Sequence, residues 1–151
     1  MTVRLSTGLR NNLVGSIGFA TTLANGVIDI YTGAQPATAD AAITGALLGT
    51  VTLNSGAFAS GTPTNGLTFA APANGAVSKS GVWSFNGIAV GTAGWFRFRA
   101  NAADAGAISA VLPRLDGSVA VSGADLNLSN ISITVGAPNT IDTFVWTQPF
   151  A

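Results

Sequence analysis

Turn-forming residues cut this chain into runs too short for anything but strands. Asn25-Gly26, Gly33, Asn65-Gly66, Asn74-Gly75, Asn86-Gly87, Asp116-Gly117 and Gly123 separate stretches that alternate apolar with polar side chains. Turn signals spaced about 8–12 residues apart mark sandwiches, jelly rolls and barrels. The expected fold is therefore all-β, an antiparallel, jelly-roll-like β-sandwich preceded by a short N-terminal helix. A length of 151 residues matches one domain with one core. Residues 1–25 read as a helical or arm segment and residues 26–151 as the sandwich.

The helical reading rests on Thr7-Gly-Leu-Arg-Asn-Asn-Leu-Val, where Thr7 suits a cap and Leu9 and Leu13 share one side at i, i+4. Phe19–Asn25 gives a second turn, stopped by a left-handed residue at Asn25-Gly26. Strands are expected at Val27–Thr32, Ala46–Asn54, Leu67–Ala70, Ala76–Ser80 and Val82–Phe85, with Gly49 marking a bulge or a close contact. Asn86-Gly87 predicts a type I′ hairpin into Ile88–Val90. Further strands are expected at Ala107–Leu115, then through an Asp116-Gly117 hairpin into Ser118–Val121, and at Leu126–Leu128, Ile131–Val135 and Thr140–Gln148.

The most regular run is Gly94–Asn101. Phe96, Phe98 and Ala100 fall on one face, and Trp95, Arg97 and Arg99 on the other. The first set claims the core. The second is expected to remain open and to meet an acidic partner, because two of the six basic residues sit together beside an indole.

Composition removes several classes of function. Six basic residues balance six aspartates, so no positive field exists to hold nucleic acid. Charged residues make up 8% of the chain, against about 25% in an ordinary domain. Ala41 to Ser78 carries no charge at all, yet it is broken by Gly, Asn, Pro and Ser and never supplies the run of about 20 apolar residues that a membrane helix needs. A surface so weakly ionised invites association, so neighbouring subunits are expected to cover it. An ordinary sandwich with a Ser/Thr-rich exterior is the alternative. The start Met-Thr-Val-Arg-Leu-Ser lacks the apolar stretch of a secretion signal, and the expectation is synthesis in a cytoplasm.

The chain contains no His, Cys or Glu. That removes the usual general base, the thiol nucleophile and the nitrogen and sulfur metal ligands together. Paired aspartates can hydrolyse glycosides, and Asp29 with Asp142 are the candidates since both fall within strands. Asp104, Asp116 and Asp125 read as turn residues. No run resembles a calcium loop or a phosphate-binding loop. No catalytic residue, cofactor or metal is therefore assigned, and an enzyme is not expected. Trp83, Trp95 and Trp146 are candidates for core or interface, with Trp95 assigned to the surface.

Asn25-Gly-Val-Ile-Asp-Ile-Tyr-Thr-Gly-Ala-Gln-Pro-Ala-Thr-Ala-Asp-Ala-Ala42 resembles a stretch near the start of small virion structural proteins of tailed bacteriophages. Trp95-Phe-Arg97, Asp116-Gly-Ser-Val119 and Ser122-Gly-Ala-Asp-Leu-Asn-Leu128 are similar to that group too. The resemblance implies a capsid cement, or head decoration, protein on the outer surface of the shell, bound to the major coat protein. It carries no mechanism beyond passive bridging of coat subunits. Leu9, Leu13, Trp95, Arg97 and Arg99 are the expected interface residues. Self-association is expected as well, a dimer before a trimer, since two-fold closure is the commonest symmetry. A tail or baseplate component and a carbohydrate- or receptor-binding module stay open as alternatives.

Overall fold

A computed structural model of the chain describes residues 3–148. Among these residues the chain runs β1 (Arg4–Leu5), α1 (Thr7–Val14), α2 (Phe19–Leu23), β2 (Val27–Thr32), β3 (Leu47–Leu53), β4 (Thr68–Phe69), β5 (Ala76–Ser80) and β6 (Trp83–Asn86). It continues through β7 (Gly91–Arg99), β8 (Arg114–Ala120), β9 (Leu126–Asn127), β10 (Ser132–Ile133), β11 (Pro138–Ile141) and β12 (Val145–Thr147). The all-β, antiparallel sandwich with a short N-terminal helix is the architecture found.

The larger sheet has the order β1-β8-β7-β2-β3-β6-β11, with β10 added to β7 and β9 added to β8. The β8–β9 pair is parallel and the others are antiparallel. The smaller sheet is β12-β5-β4. An aromatic cluster ties the two sheets together. Phe69 of β4 and Phe144, just before β12, meet Trp83 of β6 at 5.6 and 5.2 Å between ring centroids, and Phe98 of β7 lies 5.7 Å from Phe144. Ile28, Ile30, Val51, Phe96 and Leu115 extend the same core.

Ser6, not Thr7, caps α1. Its Oγ accepts from the Leu9 N–H at 3.1 Å and from the Arg114 N–H at 2.8 Å, and donates to the Leu112 carbonyl. Burial explains the choice, because a fully enclosed hydroxyl has to satisfy its hydrogen bonds inside the protein. The helix lies so close to the segment before β8 that a Cβ on Gly8 would stand 2.2 Å from the Val111 carbonyl oxygen. Asp40 completes the helix start by accepting from the Thr7 N–H at 2.8 Å and the Thr7 hydroxyl at 2.7 Å.

Several expected turns and strands are replaced. Asp116 and Gly117 lie inside β8, opposite Arg97 and Phe96 of β7, so no hairpin forms there. Residues 107–113 form bends and irregular backbone, and the strand begins only at Arg114. Gly87 is needed for a close approach, since a Cβ would meet the Thr134 carbonyl oxygen at 2.1 Å, and β6 pairs with β3 and β11 instead of with residues 88–90. The run 140–148 divides between the sheets, β11 in the larger and β12 in the smaller.

Candidate functional site

The central strands are buried on both faces. β2 packs Ile28 and Ile30 into the core, yet Asp29 and Tyr31 on its opposite face are only 5% exposed each. The cover comes from residues 33–46 and 101–113, two long connections laid back over the sheet. Their backbone carbonyls supply the hydrogen bonds. Trp95 Nε1 donates to Thr44 O at 3.2 Å, Arg97 Nη2 to Ala41 O at 3.1 Å, Arg114 Nη2 to Ala107 O at 2.8 Å and Arg4 Nη1 to Pro36 O at 2.6 Å. The two connections also pair with each other through Ile43 N–H to Gly106 O and Ser109 N–H to Asp40 O.

Three ion pairs lie beneath this cover. Arg97 grips Asp116 through Nε and Nη2 at 2.7 Å each, Arg114 grips Asp104 at 2.7 and 2.6 Å, and Arg99 Nε meets Asp29 at 2.7 Å. Thr50 donates to the second oxygen of Asp29. Burial pushes the Asp116 carboxyl upward against the pull of Arg97. Asp104 is also desolvated, but hydrogen bonds from Arg114 and the Gly106 N–H hold it below the usual carboxylate value. Burial, with Asp29 nearby, pushes the Tyr31 hydroxyl far above the ordinary tyrosine value. Tyr31 stacks on Trp95 at 4.6 Å, and the Arg97 guanidinium sits 5.6 Å over the same indole.

This arrangement corrects the expected docking face. Trp95 is 0% and Arg97 1% exposed, so neither offers a surface to a partner or a platform to a sugar. Alternation sorted the residues correctly between faces, but it carries no information about loops folding back from elsewhere. Arg99 remains at the margin, its side chain 16% exposed. It borders a cleft of about 180 Å³ with Asp29, Tyr31, Thr50, Arg97 and Asp104. Leu9 is also corrected, being fully enclosed in the core. Asp29 and Asp142 line separate hollows, so the candidate carboxylate pair is not assembled. Among the described residues no cluster of three or more acidic side chains could hold a metal ion. Among the described residues no helix is long and apolar enough to cross a membrane.

Leu13 alone of the expected interface residues stands at an open apolar surface. With Phe19, Ala20, Pro72, Val77 and Trp146 it lines a hollow of about 440 Å³ between the helices and the small sheet. Trp146 lies flat on Phe19, with centroids 4.5 Å apart and planes 1° from parallel. A second hollow of about 460 Å³ shares Ala20, Thr21 and Pro72 with the first and runs on past Phe69 and Ala70. Together they form one trough across α2, and no described residue lining it is charged. The sequence signal for it was weak, because its walls come from α1, α2, the loop after β4 and β12.

Set beside known proteins, the chain matches no family model, and no curated protein or solved structure is significantly similar to it.

Proposed function

We propose that the chain is a structural subunit that works by lying against other protein subunits, specifically a cement protein on the outside of a tailed-bacteriophage capsid. The observation that carries the docking role is the uncharged trough around Leu13, Phe19 and Trp146. Contiguous apolar surface of this kind marks association in soluble proteins. Exposed Ile88, Val90 and Val135, 60–76% accessible, add further apolar area in two neighbouring loops joined by Gly87 and Gly136. The capsid assignment rests on the resemblance of residues 25–42, 95–97, 116–119 and 122–128 to small phage virion proteins.

The mechanism is passive. Each copy would bridge neighbouring coat subunits, and several modest contacts of roughly 800 Å² per partner would hold it by avidity. Self-association, a dimer by preference, belongs to the same reading. The covered ionic face of the larger sheet takes no part in docking in this account: it ties residues 33–46 and 101–113 to that sheet.

Electron microscopy of particles carrying a tagged copy tests the location. Density on the outer head surface supports a cement protein, whereas density confined to the tail or baseplate replaces it with the tail-component reading.

A further inference from the structure

The small sheet ends in a strand whose outer side is bare. β12 pairs with β5 as Val145↔Ser78, Trp146↔Val77 and Thr147↔Ala76. At either end of that register the Lys79 N–H donates to Phe144 O at 3.0 Å and the Gln148 N–H to Gly75 O at 2.8 Å. Backbone groups of an antiparallel strand alternate between its two sides, so Phe144, Trp146 and Gln148 turn theirs towards β5, and Val145 and Thr147 turn theirs away. Both of these residues are exposed, and none of their outward N–H and C=O groups bonds to another described residue.

The other edges are closed. Beside β4 the Leu67 carbonyl accepts from the Asn25 N–H, and the Leu67 N–H donates to Gly26 O. β11 turns Pro138 and Thr140 outward, because Ala137 accepts from the Gly87 N–H on the β6 side, and Pro138 has no N–H to offer. β1, β9 and β10 are two residues long each. β12 carries none of the usual protections of an edge: Val145, Trp146, Thr147 and Gln148 include no charge and no proline, and the register with β5 is unbroken.

An open edge takes an extended strand, and this one is complementary to itself. Turning a second copy through a two-fold axis at Trp146 sets Val145 against Thr147 of that copy, and Thr147 against its Val145. Each such pair exchanges two hydrogen bonds, so the outward groups of both copies are all matched. The facing side chains are β-branched, a type that packs well across strands. The seam is uncharged and the chain's formal net charge is zero, so like copies meet without repulsion. Beside Val145 a hollow of about 420 Å³, between Leu128 and Thr143, leaves room for the incoming strand.

We propose that two copies of the chain join antiparallel along β12, with Trp146 on the two-fold axis, so that the two small sheets become one. The inference rests on the self-association in the proposed function and gives it a surface; no capsid enters it. A seam this short buries less than the roughly 800 Å² per partner of a standard interface, so the dimer forms reversibly with concentration.

The test is sedimentation velocity of the purified full chain over rising concentration, comparing the parent with Thr147→Ala and Thr147→Pro. The Thr147 N–H faces away from β5, so proline removes a donor from the seam without taking one from the fold. Parent and Thr147→Ala are expected to pass from monomer to dimer, and Thr147→Pro to need roughly tenfold more protein, since each dimer loses two hydrogen bonds. Cysteine pairing reads the register without relying on that variant, because the chain has no cysteine of its own. Val145→Cys mixed with Thr147→Cys is expected to form a disulfide-linked dimer on mild oxidation, the facing Cα atoms being about 5.5 Å apart, whereas in either variant alone the cysteines lie on a diagonal too long to bridge. A parent that stays monomeric at every concentration overturns the proposal. So does a Thr147→Pro variant with the parent's near-ultraviolet circular dichroism that dimerises as the parent does, or cross-linking as efficient in the single variants as in the mixture. Shell binding by a chain that stays monomeric would remove this interface and leave the cement reading standing, and a β12 dimer that ignores shells would do the reverse.

Discussion

Arg97 and Asp116 face each other across β7 and β8 in register, joined by two hydrogen bonds of 2.7 Å, with side chains 1% and 0% exposed. An ion pair so enclosed gains little for stability as a unit, because desolvation offsets its attraction, but half of one is a severe liability. Asp116→Ala is expected to cost about 3–5 kcal/mol in chemical denaturation, since it strands a buried guanidinium. The joint change Arg97→Met with Asp116→Leu is expected to cost less than either partner's removal alone. A double variant at least as damaged as the single ones would show that the pair itself stabilises the fold.

Acid should loosen the cover before it loosens the core. Asp104 and Asp40 are both held below the ordinary carboxylate value, Asp104 by Arg114 and the Gly106 N–H, Asp40 by its hydrogen bonds from Thr7, in each case against desolvation. A folded value lower than the unfolded one means that these groups stabilise fully above the unfolded value and lose that contribution as pH falls towards the folded one. The contribution of these two groups should therefore stay level from neutrality down to about pH 4 and decline below it. Asp104→Asn should flatten that decline, read from denaturation curves collected at successive pH values.

Gly49 of β3 is expected to tolerate no side chain. A Cβ there would stand 2.2 Å from the Phe85 ring, and the register of β2 against β3 shifts next to it, between Ile30 and Tyr31. Gly49→Ala should destabilise by about 1–3 kcal/mol through overpacking. A neutral result would mean that Phe85 moves aside without cost.

Trp95→Ala should behave as a core truncation and lower stability by about 3–5 kcal/mol. The indole is fully enclosed by Tyr31, Arg97 and the Thr44 carbonyl. A variant as stable as the parent chain would place the ring at the surface after all.

Local pattern was readable wherever local forces decide. β2 and β5 fall at the bounds that alternation predicts, α1 spans Thr7–Val14, and Asn25 adopts the left-handed φ of 59° that ends the second helical turn. Where a distant segment decides, pattern misled. Asp116-Gly117 looks like a turn until Arg97 is placed opposite, because only that guanidinium lets an aspartate sit in a buried strand. Gly117 is there for space, its missing Cβ leaving room for the Phe96 ring at 2.6 Å. The Trp95, Arg97 and Arg99 face was identified correctly as one face, but nothing in those residues announces that residues 33–46 and 101–113 close over it. The trough likewise joins side chains more than a hundred positions apart, Leu13 with Trp146.

The proposed docking role is tested most directly by cosedimentation of the purified chain with genome-free tailed-bacteriophage shells, the partner that the proposal names, comparing the parent with Thr21→Glu. Thr21 is exposed and lines both halves of the trough, so the substitution places a charge in the apolar channel while leaving the core alone. The parent is expected to pellet with the shells to saturation, and the variant, equally stable, to stay in the supernatant. A parent chain that never pellets, or a variant that pellets as well as the parent, would contradict the account.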